Sequence, residues 1–206
     1  MTITVDMRVL ELLNARLCHE LISPVGAINN GVELMIEEDN DADFIRDAVK
    51  LIATSAKTAG HRLNFYRFAY GAGHGSSSGR DAVLGLLKGG KVKAEWSDAA
   101  AALPLEWQRL ACNMVVVLAE ALPRGGTVQV TTGPGGAGIV VNASGDSVNL
   151  TAELRAALAD SAAVDVLTAR TVHAYFTARV AESLSARLEL VEPQAGKAVL
   201  TTLPRA

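Results

Sequence analysis

A histidine, a glutamate and a proline stand close together near the amino terminus, in the order CHELISP over residues 18–24. A histidine side chain titrates near neutral pH, and its ring nitrogens are good nucleophiles. On a helix, His19 lies roughly 180–200° from the apolar positions Leu21 and Ile28, at about 100° per residue. The sequence therefore predicts that His19 faces outward and that the adjacent Glu20 orients the imidazole or holds its second nitrogen.

A surface histidine usually has no chemical role, and this is the alternative for His19 taken alone. Pro24 argues against it, because a proline inside a helix is costly and this one stands five residues after the histidine. Small side chains near His19 would leave room for another protein to approach the ring. The residues that share its helical face are Ala15, Arg16, Ile22, Ser23 and Gly26.

Two long helices must position this stretch. Apolar residues at heptad spacing predict a first helix over about residues 6–38, which Pro24 should break or bend, and a second from residue 41 or 42 to residue 70. Two helices do not enclose a core by themselves, so we expect a homodimer in which two hairpins form a four-helix bundle. The apolar seam of the first helix comprises Leu21, Val25, Ile28, Val32 and Met35.

A glycine- and serine-rich segment at residues 71–79 marks the clearest boundary in the chain. It separates a helical hairpin at 1–72 and a linker at 73–80 from a second domain at 81–206. Short strands and helices there predict an α+β sandwich, an antiparallel-rich sheet with helices on one face. The expected strands are 91–96, 128–132, 139–142, 187–191 and 198–203, and the expected helices are 81–88 with Asp81 as cap, 104–122, 150–160 and 164–184.

The composition restricts the possible partners and compartment. A net charge of -3 argues against a nucleic-acid partner, and no segment approaches the roughly 20 apolar residues of a membrane span. Cys18 and Cys112 lie in apolar helical patterns, which predicts buried thiols in a reducing compartment, and we expect a cytoplasmic protein without a membrane partner. No Cys/His cluster has the spacing of a zinc site, and no metal ligands are predicted.

The HELxxP order at residues 19–24 resembles the H-box of sensor histidine kinases, in which the histidine carries a phosphoryl group on a dimeric helical hairpin. The resemblance continues beyond the hairpin. Residues 113–130 are similar to the kinase N-box with its following turn and strand, and residues 187–190 and 196–204 are similar to the last two strands of the kinase ATP-binding (Bergerat) domain.

Three departures from the kinase pattern remove the nucleotide chemistry. Val117 stands where a second N-box asparagine would hold the magnesium of ATP, and valine does not coordinate a hard cation. Residues 142–146 replace the aspartate and both glycines of the adenine-reading segment, and residues 168–173 replace the glycine-rich lid. The resemblance then implies a degenerate ATP-binding-like domain that binds no ATP.

This combination resembles the ChpT-type histidine phosphotransferases, which relay a phosphoryl group between receiver domains. The resemblance implies that His19 accepts the group from a hybrid kinase receiver and passes it to response regulators. It also implies that Mg²⁺ is supplied by the receiver and that this chain binds no cofactor. Two other functions stay open: a non-catalytic adaptor that only docks receivers, and, less favoured, an ATP-dependent histidine kinase.

The expected receiver-docking surface combines both helices of the hairpin. Counting symmetrically about the turn near Asn40 places His61 level with His19, and His61 is itself a minor alternative as phosphoacceptor. His74 and His173 are expected to be solvated or packed polar residues. The expected docking residues are Arg16, Ile22, Ser23, Gly26, His61, Arg62, Asn64 and Phe65.

Overall fold

The computed structural model describes residues 6–37, 42–71 and 78–205. Two long helices, α1 (Met7–Glu37) and α2 (Ala42–Tyr70), pack against each other as a hairpin. Their bounds agree with the predicted helices to within one or two residues, because heptad periodicity over several turns is a strong signal. The predicted turn around Asn40 and most of the predicted linker, including His74, lie outside the described residues.

Helix α1 continues through Pro24, so of the two expected outcomes, a break or a bend, the break does not occur. Pro24 is buried and sits in the middle of 31 helical residues. A proline removes one main-chain hydrogen bond of the helix, and a side chain from α2, described below, takes over the acceptor that this leaves open.

The remaining elements form the C-terminal domain around one five-stranded sheet with the order β1-β2-β3-β5-β4. Strands β1 and β2 are parallel and the other neighbours are antiparallel, which confirms the predicted α+β class. The elements are α3 (Gly79–Leu86), β1 (Val92–Trp96), α4 (Asp98–Ala101), α5 (Leu105–Glu120), β2 (Gly126–Thr132), β3 (Ile139–Ser144), α6 (Ala152–Leu158), α7 (Val172–Ser183), β4 (Ala186–Gln194) and β5 (Lys197–Pro204).

One face of the sheet is covered by helices. Val128, Val130 and Val141 alternate with more exposed neighbours and are fully buried, as expected for strands with one covered face. On the other face, Gln129 donates to the Glu95 carboxylate at 3.2 Å in an exposed position. Helix α5 is buried at every residue from 110 to 118 and forms the centre of the domain.

The hairpin packs its open end onto this domain. Val9 near the start of α1 and Phe65 and Phe68 near the end of α2 are buried in the same core as α5. Apolar burial of this kind stabilises the contact by roughly 25 cal/mol per Å². The hairpin and the C-terminal domain therefore share one hydrophobic core at this end.

Four local predictions are corrected by the structure. Ser78, not Asp81, is the N-cap of α3, and its hydroxyl accepts from the Asp81 amide at 3.1 Å. Residues 164–171 form turns, so the last helix begins at residue 172 rather than 164. The short helix α4 was not predicted, and Cys18 is exposed whereas Cys112 is buried.

Candidate functional site

His19 lies on the exposed face of α1, at a cleft of about 570 Å³ between the hairpin and the C-terminal domain. Its outward orientation is the one predicted from the helical period. The opposite walls come from the end of α5, from the segment that leads into α6 and from the turn before α7. Residues that line the cleft with His19 include Glu20, Glu120, Asn149, Leu154 and Arg170.

Arg62 connects α2 to the turn of α1 that carries His19. Its Nη1 donates to the main-chain carbonyl of Glu20 and lies 3.3 Å from Oε2 of the Glu20 side chain. In an uninterrupted helix this carbonyl would accept from the amide of residue 24, but Pro24 has no amide hydrogen. Arg62 therefore satisfies the acceptor that the proline leaves open, and it holds the carboxylate beside His19.

Arg16 lies one turn before His19 and points into the boundary between the two domains. Its side chain is only 9% exposed, and its guanidinium forms an ion pair with Glu120 at the end of α5. Nη1 also donates to the carbonyls of Ala169, at 3.3 Å, and Arg170, at 3.5 Å. Arg16 was expected at the docking surface; the structure corrects this, because Glu120 and the carbonyls before α7 draw the side chain inward.

Burial and charge act against each other in this ion pair. Burial works to lower the pKa of Arg16, but the Glu120 carboxylate and the nearby Tyr70 and Tyr66 together more than offset this effect, and the pKa is raised on balance. Burial raises the pKa of Glu120, and Arg16 opposes that shift. The arginine is therefore charged at any physiological pH, and it favours the charged form of its partner.

The other predicted docking residues range from exposed to fully buried. Ile22, Ser23 and Asn64 are exposed, while Gly26 and Arg62 are partly buried. His61 is partly buried because its ring packs against α3, so close to Gly85 that an added Cβ there would lie 3.4 Å from the ring. Phe65 has no exposed surface, and its assignment to the docking surface is wrong, because the residue packs into the core that the hairpin shares with α5.

The residues at the kinase-like nucleotide positions serve the packing of the domain. Asn113 is fully buried, and its Nδ2 donates to the carbonyls of Arg109, at 2.8 Å, and Ala69, at 3.3 Å. The second of these bonds links α5 to the end of α2. Val117, one turn further along, is also buried. Asn113 thus uses its amide group to hold the hairpin.

His173 is a packed polar residue inside the domain boundary. Tyr70 of α2 lies 2.6 Å from its Nδ1, and its Nε2 lies 3.2 Å from the carbonyl of Asn113. Because a carbonyl only accepts, Nε2 carries the hydrogen, and Nδ1 accepts from the Tyr70 hydroxyl. Burial lowers the pKa of His173 to about 3, so the ring is neutral and both contacts are maintained.

Glu120 and the link from Tyr70 to His173 were not predicted from the sequence. A single acidic residue at the end of the largely apolar stretch 110–119 is a weak sign that a cation lies opposite, but nothing local identifies Arg16 as that cation. Among the described residues there is no group of three or more histidine, cysteine, aspartate or glutamate side chains that could hold a metal ion. No helix within residues 6–37, 42–71 and 78–205 is both long and apolar enough to cross a membrane.

Comparison with known proteins agrees with this architecture. The model of the histidine phosphotransferase C-terminal domain matches residues 79–196, which is more than half of the chain, and the chain belongs to this family of histidine phosphotransferases. It is of the ChpT type: it is 31% identical over 190 residues to protein phosphotransferase ChpT of Brucella abortus (strain 2308), and the match covers 87% of this chain and 88% of that protein. The 1.7 Å structure of a bacterial phosphotransferase matches with a TM-score of 0.78 and 28% identity and covers 98% of each chain.

Proposed function

We propose that this chain is a phosphocarrier of a bacterial phosphorelay, in which His19 accepts a phosphoryl group from the receiver domain of a hybrid histidine kinase and passes it to the receivers of response regulators. The observation that carries the proposal is the position of His19, which is exposed on α1 and borders a cleft of about 570 Å³ between the hairpin and the C-terminal domain. A histidine that serves two protein partners in turn must be accessible from solvent.

The proposed transfer is a displacement at phosphorus. The lone pair of one His19 ring nitrogen forms the N–P bond, the O–P bond of the receiver's aspartyl phosphate breaks, and its electron pair returns to the aspartate carboxylate. The second ring nitrogen keeps its proton, so the phosphorylated ring carries a positive charge, and Glu20, the next residue along α1, is proposed to orient the ring. The same step in reverse passes the group to the next receiver. Positioning and charge neutralisation supply most of the catalysis in such transfers.

Magnesium in this scheme is supplied by the acidic pocket of the receiver, and ATP takes no part. The burial of Asn113 supports this proposal, because the residue has no exposed surface and its Nδ2 donates to main-chain carbonyls within the shared core. Val117 offers no ligand for a metal ion. We accordingly propose that the C-terminal domain is a pseudo-ATPase domain.

We further propose that the working form is a cytoplasmic homodimer. The predicted seam of α1 is only half covered within one chain: Val25 is 47% and Val32 44% exposed. On α2, Val49 and Leu63 are similarly exposed. A surface that exposes large apolar side chains along two neighbouring helices is typical of a protein interface, and a second hairpin would cover it as a four-helix bundle.

The test is transfer from a purified phosphorylated receiver, labelled on its aspartate, with no nucleotide present. We expect acid-labile, base-stable label on the parent chain and none on His19→Gln, while His61→Gln, which tests the alternative phosphoacceptor, still carries label. Label on His19→Gln, or none on the parent, would overturn the proposal. A His19→Gln variant that still supports the partner's function would indicate an adaptor, and labelling from ATP alone would indicate a kinase.

A further inference from the structure

Arg16 and His19 lie one helical turn apart but have opposite environments. His19 is exposed, whereas the Arg16 guanidinium is enclosed between Glu120 and the carbonyls of Ala169 and Arg170. A planar guanidinium can donate to acceptors on two elements at once, here the end of α5 and the turn before α7. The turn of α1 that presents His19 is thus tied to both.

The turn before α7 is held by α1 at a second point. Arg8, two turns before Arg16, donates to the carbonyl of Leu167 at 3.3 Å. Within the turn, the Thr168 carbonyl accepts from the amides of Thr171, at 3.1 Å, and Val172, at 2.9 Å. The carbonyls at 167, 169 and 170 thus face α1, whereas the carbonyl at 168 is satisfied internally.

The energy of this ion pair does not by itself account for the arrangement, because the Arg16 side chain is 9% exposed whereas the Glu120 side chain is 46% exposed. Removing the Arg16 charge from water offsets much of the attraction, and solvent weakens the attraction on the Glu120 side. What a forked, charge-assisted contact adds is a defined geometry. In this molecule the contact sets the distance between His19 and the opposite wall of its cleft, where Arg170 and Glu120 lie.

We infer that Arg16 and Glu120 are positioning residues for phosphoryl transfer, which hold the turn at residues 167–171 beside His19 and so keep the cleft in the shape that a phosphorylated receiver must enter. The inference rests on the proposed function. It requires neither residue to touch the phosphoryl group. Breaking the pair leaves the His19 ring intact but lets the opposite wall move.

The experiment compares two phosphoryl donors on the same variants. Phosphoramidate is a small donor that reaches His19 without a docked protein, whereas a phosphorylated receiver needs the shaped cleft. The variants are Glu120→Gln, which keeps the shape of the side chain, and Arg16→Ala. Lys50→Ala is the control, because it breaks an exposed ion pair with Asp47 on α2 far along the hairpin.

We expect phosphoramidate to label both variants at a rate within about twofold of the parent. The rate of transfer from the receiver should fall by roughly tenfold or more, because a misplacement of about 1 Å in a site can reduce a rate by that much. The loss should lie in the KM for the receiver. A variant that merely unfolds in part would show a lower kcat at unchanged KM, and Arg16→Lys, which retains the charge but not the fork, should recover only part of the transfer rate. Unchanged receiver transfer, or an equal loss with both donors, would overturn the inference.

Hydrogen exchange gives a readout that does not depend on the relay. In both variants the amides of residues 167–173 should exchange faster than in the parent, while Lys50→Ala leaves them unchanged. Unchanged exchange in Glu120→Gln and Arg16→Ala would show that this ion pair does not hold the turn at residues 167–171. If the parent accepts no phosphoryl group from any receiver but the exchange rates of the variants change as expected, the proposed function is refuted. The contact by which Arg16 and Glu120 hold the turn at residues 167–171 is then still supported.

Discussion

Arg62 on α2 donates to the main-chain carbonyl of Glu20 on α1, the acceptor that Pro24 deprives of its helical partner. The same guanidinium lies 3.3 Å from the Glu20 carboxylate. An arginine from the second helix therefore replaces the missing hydrogen bond of the first, one residue after the proposed phosphoacceptor. This is how α1 continues through a proline at the point where its geometry matters most.

Arg62→Ala should destabilise the protein by about 1–3 kcal/mol, because it leaves a partly buried carbonyl without a donor and Glu20 without its cation. In a Pro24→Ala background the new amide at residue 24 can donate to the same carbonyl, so the cost of Arg62→Ala should fall by about 1 kcal/mol. Denaturant unfolding of the parent, both single variants and the double variant measures this coupling. Equal costs in the two backgrounds would show that Arg62 does not replace the missing bond.

The buried His173 predicts a pH dependence of stability. Its pKa is lowered from 6.5 to about 3 in the folded chain, so between these values the unfolded chain binds the proton and the folded chain does not. The contribution of neutral His173 to the free energy of unfolding is therefore complete above about pH 6.5. This contribution is lost as the pH falls toward 3, at up to about 1.4 kcal/mol per pH unit.

His173→Gln should weaken the dependence of the free energy of unfolding on pH in this acidic range. A glutamine can still accept from Tyr70 and donate to the carbonyl of Asn113, but it does not titrate. Val166→Ala, at an exposed position that does not titrate, is the control and should leave the slope as it is in the parent. Denaturant melts from pH 7 to pH 4 supply the measurement, and an unaltered slope in His173→Gln would contradict the assignment.

Two glycines of α1 should respond in opposite directions to alanine. A Cβ at Gly31 would lie 2.6 Å from Cγ1 of Ile52 and 3.3 Å from the carbonyl of Ala48, so Gly31→Ala must push the two helices apart and should cost about 1–3 kcal/mol. Nothing lies within 4 Å of a Cβ at Gly26. Gly26→Ala should therefore stabilise the helix by up to about 1 kcal/mol.

The second glycine also tests the docking surface. If Gly26 contacts the receiver as predicted, Gly26→Ala raises the melting temperature but slows transfer from the receiver. Gly60→Ala is a matched control, since a Cβ there also meets nothing within 4 Å and the residue lies on α2. Faster or unchanged transfer in Gly26→Ala would remove this residue from the predicted surface.

The proposed dimer predicts that a charge in the apolar seam separates the two chains. Val32→Glu should give a monomer by analytical ultracentrifugation at concentrations at which the parent is a dimer, because the new carboxylate would be buried against a second hairpin without a partner. Val166→Glu, at a more exposed valine of the C-terminal domain, should leave the parent's state unchanged. A parent chain that sediments as a monomer would refute the bundle.

The regular elements could be predicted because their signals are local. Apolar residues at heptad spacing predicted both long helices, and the pattern of short strands and turns in the second domain predicted all five strands within a few residues. The prediction failed at residues 164–171, where Thr171 Oγ1 accepts from the amide of Thr168 at 3.0 Å. Side-chain hydrogen bonds of this kind compete with helix formation, and a hydrophobic period does not register them.

By itself the sequence determined that His19 is exposed on a long helix, because residue type and helical phase are properties of one segment. The loss of the nucleotide-binding residues of a kinase stays a prediction. Only the tertiary structure decided that Phe65 is buried, that Asn113 holds the hairpin and that Arg16 turns inward to Glu120. That last pair is 104 residues apart in the chain. A contact over such a distance exists only once the hairpin has docked on the C-terminal domain, and no local pattern encodes where it will fall.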